Sequence, residues 1–134
     1  MKRLRWLTSA AVIAIHRDLI ARYGGTSGLR APASLESALA RPKHLASYKR
    51  NVTAPELAAA YAWSMLHNHP FTDGNKRVAL ASMVVFLELN GWELTCSEAE
   101  ETVMVLRAAA GEVTEREWSD WVLRNSRKLG KASH

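Results

Sequence analysis

The sequence predicts an all-α fold, a bundle of about six helices arranged around one central buried helix. Three capping boxes, in which Ser or Thr is followed three residues later by Glu, mark helix starts along the chain. The segment 78–87 is apolar at nearly every position, so as a helix it has to be enclosed by the others. Strand signals are scarce, because only 92–95 alternates apolar and polar residues, and it has no obvious partner. With no internal repeat or linker, residues 1–134 are expected to form one domain.

The first helix is expected to run from about Thr8 to Tyr23. Apolar residues recur on one of its faces with helical spacing, beginning at Val12. The Gly-Gly pair that follows ends this helix, since glycine is the preferred residue just beyond a helix. The next segment, 24–33, holds three glycines together with Arg30, and this composition predicts a mobile surface loop.

A short second helix is predicted from Ser34, whose hydroxyl group can cap it, through Leu39. Pro42 is expected to stop this helix, because proline disfavours the helical conformation of the residue before it. The stretch 41–52 carries four basic residues. It is interpreted either as an ordinary connecting loop or as a strand or ribbon.

Four further helices follow from clear start and stop signals. A capping box at 53–56, with a proline in the first turn, opens a helix that reaches about His67. The apolar helix that begins at Gly74 is expected to end at an Asn-Gly pair, 90–91. The other two capping boxes open helices that end near Gly111 and near Ser126, and they lie at 97–100 and 114–117.

The charge distribution limits the classes of function. The net charge is +5, but seven basic residues lie near the two chain ends, and the rest of the chain carries 11 basic and 13 acidic residues. Basic tails are more typical of solubilising segments than of specific DNA readers, so no specific nucleic-acid partner is expected. No apolar run is long enough to cross a membrane, no secretory peptide is recognised, and the single cysteine, Cys96, agrees with a reducing cytoplasm. The seven terminal cations are Lys2, Arg3, Arg5, Arg124, Arg127, Lys128 and Lys131.

The most informative segment is 69–77, with the sequence His-Pro-Phe-Thr-Asp-Gly-Asn-Lys-Arg, directly before the apolar helix. The first turn of a helix exposes backbone N–H groups and the positive end of the helix dipole. Such a helix start attracts phosphate, and this motif adds a potential base, a carboxylate and two cations. The sequence therefore predicts that the protein handles a nucleotide at this point.

The motif contains a candidate for each part of a phosphoryl-transfer site. His69 is the candidate general base, because imidazole changes charge near neutral pH. Asp73 lies just ahead of the helix, where a carboxylate can cap the helix or hold Mg²⁺ beside phosphates. Gly74 allows close approach of the backbone to a ligand, and Asn75 can orient that ligand. The basic pair 76–77 opposes the helix dipole, so a bound anion is expected to offset its cost.

These residues also have other readings. His69 can be an ordinary surface histidine, and Asp73 can be a simple helix cap. His67, His69 and Asp73 can together be read as part of a Zn²⁺ or Mn²⁺ site, which would make the protein a metal-dependent hydrolase. A third firm protein ligand is missing at conventional spacing, and His67 otherwise lines the cleft.

The segment 69–77 resembles the signature of the Fic/Doc superfamily, and its Asn-Lys-Arg ending is similar to that of the Doc (death-on-curing) toxins. The resemblance covers nearly the whole chain, because three flanking segments are also similar to Doc-type segments. These segments are 22–30, 35–42 and 86–91.

Two positions separate the chain from ordinary Fic proteins, which transfer AMP from ATP to a protein hydroxyl group. Those proteins have Gly where this chain has Lys76, and a second Arg where it has Leu80. The resemblance to the Doc members, which have the lysine and transfer the γ-phosphate, implies a kinase-like phosphotransferase toxin. The implied cofactors are ATP and Mg²⁺. The implied target is a threonine of elongation factor Tu, whose modification stops translation.

The resemblance also assigns roles to the matching positions. His69 corresponds to the base that acts on the target hydroxyl group, and Asp73 to the residue that holds the metal. The phosphates are expected to be bound by four consecutive residues: Gly74, Asn75, Lys76 and Arg77.

A Phd-like antitoxin, whose disordered C-terminal segment folds onto the toxin, is the implied regulatory partner. Arg30 and His67 are the candidate contacts for the target or the antitoxin. Two departures from the Doc pattern favour a non-catalytic module that binds an antitoxin or nucleic acid, because His67 replaces an Arg and Ala81 replaces an Asn. An adenylyl transferase of the ordinary Fic kind is the other alternative. The expected location is the cytoplasm, with no membrane partner.

Overall fold

The computed structural model describes residues 3–130, in which six α-helices and two short strands form around one hydrophobic core. The predicted all-α class is confirmed, because the strands have only three residues each. Two of the predicted terminal cations, Lys2 and Lys131, lie outside the described residues. The elements are α1 (Ser9–Tyr23), α2 (Pro32–Tyr48), α3 (Ala54–Asn68), α4 (Asn75–Leu89), β1 (Trp92–Leu94), α5 (Glu98–Ala109), α6 (Glu115–Arg124) and β2 (Ser126–Lys128).

Four of the predicted helix starts, those of α1, α3, α5 and α6, are confirmed by their capping hydrogen bonds. The Thr8 side chain accepts from the Ala11 N–H at the start of α1, and Gly24 follows the last residue of that helix. At α3, α5 and α6 both halves of the capping box form, with the Thr or Ser hydroxyl and the Glu carboxylate each bonded to the other residue's backbone N–H. Local sequence is therefore sufficient to begin these helices.

The prediction for the second helix is wrong in both of its boundaries. Helix α2 begins at Pro32 without a side-chain cap and continues through Pro42 to Tyr48. Proline within a helix removes one hydrogen bond, but Pro42 is buried with Leu35 and Leu39 on the face of α2 that packs against α3. Burial of that face offsets the missing bond. The strand or ribbon considered for 41–52 is consequently absent from the described residues, since most of this stretch is helical.

Helix α3, rather than α4, is the most enclosed helix of the bundle. Eleven of its fifteen residues are buried, against six in α4. Five of its buried residues are alanines, and their small side chains let the neighbouring helices approach closely. The long apolar run in α4 predicts a buried helix correctly, but Leu80 and Val85 are only partly buried.

Strand β1 has a partner that its sequence does not reveal. It pairs antiparallel with β2, with Trp92 opposite Lys128 and Leu94 opposite Ser126. The predicted unpaired segment is thus half of a two-stranded ribbon that joins the end of α4 to the end of α6. Basic residues near both ends are exposed in the described range, including Arg3, Arg5 and Arg127. No helix in the described range is both long and apolar enough to cross a membrane.

The connection between α3 and α4 positions the motif. Segment 69–74 joins the C-terminus of α3 to the N-terminus of α4, and α1, loop 24–31 and α5 lie around it. The two helices that carry most of the core therefore hold the motif at one end of the bundle.

Candidate active site

His69 follows α3 in a left-handed backbone conformation, with φ +46° and ψ +60°. This conformation is uncommon for a residue other than glycine and costs about 1–3 kcal/mol unless its surroundings hold it. Its N–H donates to the Met65 carbonyl at 3.2 Å, and its own carbonyl accepts from the Arg30 guanidinium, with Nε at 3.1 Å. The backbone of the candidate base is thus held from both sides, with its side chain in an exposed position.

Arg30 lies at the C-terminus of α3. Its guanidinium group donates to the carbonyls of Asn68 and His69, which have no partners within the helix. Arg30 is the predicted target or antitoxin contact, and its Nε and Nη2 groups already bind backbone carbonyls. Arg30 supports the backbone of His69, and its contact with a target or antitoxin stays a prediction.

Phe71 and Asn75 close the motif loop. Phe71 is buried, as expected for a ring that supports the loop. Its N–H donates to Asn75 Oδ1 at 3.0 Å, and Asn75 Nδ2 donates to the Phe71 carbonyl at 2.9 Å. The amide side chain of Asn75 is therefore committed to the loop.

The N-terminus of α4 presents free backbone donors. Gly74 is its N-cap, with φ +75°, and no side chain of the described residues caps the helix. The first intrahelical bond runs from the Val78 N–H to the Gly74 carbonyl. The preceding N–H groups, those of residues 75–77, have no intrahelical acceptor, as in any helix start. Three N–H groups and the positive end of the dipole are available to an anion.

Asp73 carries an ionised carboxylate in front of these donors. Its Oδ2 accepts from the Thr26 N–H at 3.0 Å and its Oδ1 from the Gly74 N–H at 2.8 Å. The Thr26 hydrogen bond lowers the pKa of this carboxyl group most, followed by the Gly74 hydrogen bond and, less strongly, by the charge of Arg77. Because the carboxylate does not bond to the free N–H groups of α4, the simple capping role is not what the structure shows.

Loop 24–31 holds the motif from the other side. Thr72 N–H donates to the Gly28 carbonyl at 3.0 Å, and Leu29 pairs with Phe71 in a single antiparallel bridge. The N–H groups of Arg30 and Ala31 both donate to the Pro70 carbonyl. The loop that the sequence predicts to be mobile is thus hydrogen-bonded to the motif along most of its length. No sequence signal indicated this pairing or the role of Thr26, because both act through backbone groups.

Gly25 gives a test of this arrangement. Its φ is +116°, and a Cβ atom there would lie 2.6 Å from Asp73 Oδ2. We expect Gly25→Ala to push the carboxylate away from the Thr26 N–H and so raise the Asp73 pKa toward its ordinary value. The stability that the lowered pKa contributes is present above the unfolded-state pKa and is lost as pH falls through the folded-state pKa. In the variant this acid-dependent loss should be smaller.

The matched control is Gly24→Ala, since Gly24 also has positive φ, +81°, but nothing lies within 4 Å of its Cβ position. Both variants should lose roughly 1–3 kcal/mol of folding stability from backbone strain. A carboxyl-carbon NMR titration then separates them, because only Gly25→Ala should shift the Asp73 titration. Equal titrations in the two variants would contradict the role of the Thr26 hydrogen bond in holding the Asp73 carboxylate.

Two cations flank the carboxylate. Lys76 and Arg77 are exposed in the first turn of α4, and within residues 3–130 neither forms an ion pair. The Arg77 guanidinium lies over the ring of Tyr23, 5.0 Å from its centroid, in a cation–π contact. Positive charge at a helix N-terminus is unfavourable, so these two residues are suited to a site that receives an anion.

Helix α5 forms the opposite wall of two clefts at this helix start. A cleft of about 620 Å³ lies on the His69 side, and one of about 430 Å³ lies on the Arg77 side. Ligand sites usually have volumes in this range. Leu106 of α5 lines both clefts. The residues common to both are Asp73, Gly74, Asn75, Lys76 and Leu106.

His67 stands apart from this group. Its Nδ1 donates to the Trp63 carbonyl at 2.9 Å, and its ring packs against that tryptophan, with centroids 4.2 Å apart. It does not line either cleft. In the range 3–130, no three His, Cys, Asp or Glu side chains come together to hold a metal ion.

The donor set fits Mg²⁺ that arrives with a nucleotide. Mg²⁺ is typically bound through one or two carboxylates together with substrate phosphates and waters, rather than by an all-protein cage. Asp73 supplies one exposed, ionised carboxylate beside the phosphate-suited helix start. Asp73 is the residue that would hold such a metal.

Comparisons with known proteins identify the family of this chain. Residues 6–87 match the model of the Fic/DOC family, so the chain belongs to that family. The chain is 32% identical over 111 residues to the protein kinase doc of Escherichia phage P1, which covers 83% of this chain and 87% of that protein. It is 39% identical over 75 residues to the toxin Doc of Mycolicibacterium smegmatis, covering 54% of this chain and 56% of that protein. The resemblance seen in the motif is confirmed.

Proposed function

We propose that this protein is a Doc-like toxin that transfers the γ-phosphate of ATP to a hydroxyl group of a protein target. One observation carries the proposal: a base, an ionised carboxylate and Lys76 border the same cleft at an uncapped helix start. The similarity to a phage protein named as a protein kinase supports phosphate as the transferred group. Lys76 supports it too, because a lysine at this position occupies space that a glycine would leave for a phosphate.

In the proposed reaction, His69 accepts the proton of the target hydroxyl group, whose oxygen forms a bond to the γ-phosphorus. The bond from that phosphorus to the β,γ-bridging oxygen breaks, and ADP leaves. Lys76, Arg77 and the free N–H groups at the start of α4 stabilise the negative charge on the phosphoryl oxygens. When bound, Mg²⁺ neutralises part of the phosphate charge, and Asp73 is its protein ligand.

The partners follow from the same proposal. The target is a threonine of elongation factor Tu, whose phosphorylation arrests translation, and the toxin therefore acts in the cytoplasm. A Phd-like antitoxin controls it. The name of the Mycolicibacterium smegmatis relative as a toxin supports an antitoxin partner, whereas the choice of elongation factor Tu and of a Phd-like antitoxin rests on the resemblance of the motif to the Doc members.

The deciding experiment uses purified protein, candidate translation factors and ATP labelled at either the α- or the γ-phosphate. We expect label transfer only from γ-labelled ATP, and a mass increase of about 80 Da on the target, which corresponds to one phosphate of nearly two negative charges. Transfer from α-labelled ATP would instead show an adenylyl transferase, and the mass increase would then be about 329 Da, the mass added by AMP, in place of the single phosphate.

Lys76 is the residue that tests the choice between phosphate and AMP. We expect Lys76→Gly to lower γ-phosphate transfer by about 100-fold, the effect of removing one transition-state donor, and to favour adenylylation. Lys76→Met is the matched variant, because it keeps the length of the side chain and removes only its charge. Transfer from both labelled nucleotides is measured for each. Unchanged γ-phosphate transfer in the Gly variant would show that this lysine does not select the transferred group.

A further inference from the structure

His16 of α1 reaches the motif loop from 57 residues away in sequence. Only 3% of its surface is exposed. Its ring stacks on that of Phe71, with centroids 3.9 Å apart and planes within 9° of parallel. Its Nε2 lies 2.7 Å from the carbonyl oxygen of Asp73. Because a carbonyl oxygen only accepts, Nε2 carries a proton and donates it. The proposed reaction makes no use of this histidine.

The peptide group between Asp73 and Gly74 is held at both of its polar ends. Its carbonyl accepts from His16, and its N–H donates to Asp73 Oδ1 at 2.8 Å. A peptide group is planar, so fixing the carbonyl direction also fixes the direction of the N–H. That N–H in turn orients the carboxylate, whose second oxygen is held by Thr26 at 3.0 Å.

Histidine combines two properties that this position uses. A flat ring can stack on the buried Phe71 side chain, and a donor at the far edge of the ring can reach the Asp73 carbonyl. His16 also packs against Gly74, where a Cβ atom would lie 3.6 Å from its Nε2. Phenylalanine keeps the ring and lacks the donor, whereas glutamine keeps an N–H donor of similar reach and lacks the ring. These two substitutions separate packing from hydrogen bonding.

We propose that His16 is a positioning residue. Through the Asp73–Gly74 peptide group, it orients the Asp73 carboxylate at the start of α4. What the carboxylate binds rests on the proposed function, whereas its orientation does not. Hydrogen-bond partners that orient a metal ligand typically change metal affinity or activity by about 10–100-fold when they are removed.

The first test is amide hydrogen exchange in the free protein, followed by NMR. The Gly74 and Thr26 N–H groups both donate to the Asp73 carboxylate, so their exchange reports its orientation. We expect about five- to tenfold faster exchange at both amides in His16→Phe, corresponding to one lost hydrogen bond, and near-native exchange in His16→Gln. The control is Val12→Ala, which weakens the buried face of the same helix one turn before His16. It should leave both amides unchanged.

The second test measures the affinity of Mn²⁺ in the presence of a non-hydrolysable ATP analogue by electron paramagnetic resonance. Relative to the native protein, His16→Phe should bind Mn²⁺ about 10–100-fold more weakly, and His16→Gln should restore most of that loss. Unchanged exchange in a folded Phe variant, or an equal effect in Val12→Ala, would overturn the positioning role.

A Phe variant that fails to fold leaves the decision to His16→Gln. Slow exchange at Gly74 and Thr26 in that variant supports the proposal, and fast exchange in the folded protein overturns it. Native protein that bound neither Mn²⁺ nor the analogue would contradict the proposed function, and the exchange comparison would still test His16.

Discussion

Replacing His69 with Asn is expected to lower the rate of phosphate transfer by about 10²–10⁴-fold, the usual contribution of a general base, while the protein remains folded. Asn is the chosen replacement because His69 has φ +46°, a conformation that Asn tolerates far better than most residues. Its amide group cannot accept the proton of an incoming hydroxyl group. The carbonyl that Arg30 holds is part of the backbone and is retained. Transfer of γ-labelled phosphate to the target measures the effect.

His44→Asn is the matched control, since His44 is an exposed histidine on α2 that lines neither cleft. It should transfer phosphate at the native rate. If His69→Asn keeps both its transfer activity and its cellular toxicity, the catalytic proposal fails. A native protein that is toxic but transfers no detectable label would instead favour the non-catalytic binding module.

Replacing Asp73 with Asn is expected to reduce transfer by more than about 100-fold, because loss of partners that merely orient a metal ligand already costs 10–100-fold. The substitution keeps the size of the side chain and one oxygen that can accept from backbone N–H groups. It removes the negative charge that Mg²⁺ requires. The activity that remains should need much higher Mg²⁺ concentrations, which a titration of transfer rate against Mg²⁺ would show.

Asp18→Asn removes another exposed carboxylate, which lies on α1 and forms an ion pair with Arg22 on the same helix. Exposed pairs of this kind contribute little, so stability and Mg²⁺ dependence should stay native. Circular dichroism is recorded for both variants. If Asp73→Asn unfolds and Asp18→Asn does not, the main role of the Asp73 carboxylate is to stabilise the fold. That result would contradict the structure, in which the carboxylate does not cap the first turn of α4.

Much of the fold could be predicted because helix starts are encoded locally. The capping box at Thr53 involves two side chains and two backbone groups within one turn, so its outcome depends little on the rest of the chain. The same holds for the capping boxes at Ser97 and Thr114. Pro42 shows the limit of such reasoning. A local rule ends the helix there, yet the burial of α2 against α3 continues it to Tyr48.

The candidate site divides in the same way. His69, Asp73 and the cations at 76–77 lie within nine residues of sequence, and the turn into α4 brings them to the two clefts at the start of that helix. The hydrogen bonds between loop 24–31 and the motif could not be predicted, because Thr26 and Gly28 contribute only backbone groups. The one available signal was His16, a histidine four residues after Val12 on the buried face of the first helix.

By itself, the sequence of this protein determined the class of fold, the start of nearly every helix and the set of chemical groups at the motif. These features depend on interactions between residues a few positions apart in sequence. The energies of such interactions depend little on where the segment lies in the fold. Only the tertiary structure decided that α3 is the most enclosed helix, that β1 pairs with β2, and that α1 and loop 24–31 hold Asp73 and His69 in place. Those features join residues tens of positions apart, and the packing of the core brings them within hydrogen-bond distance.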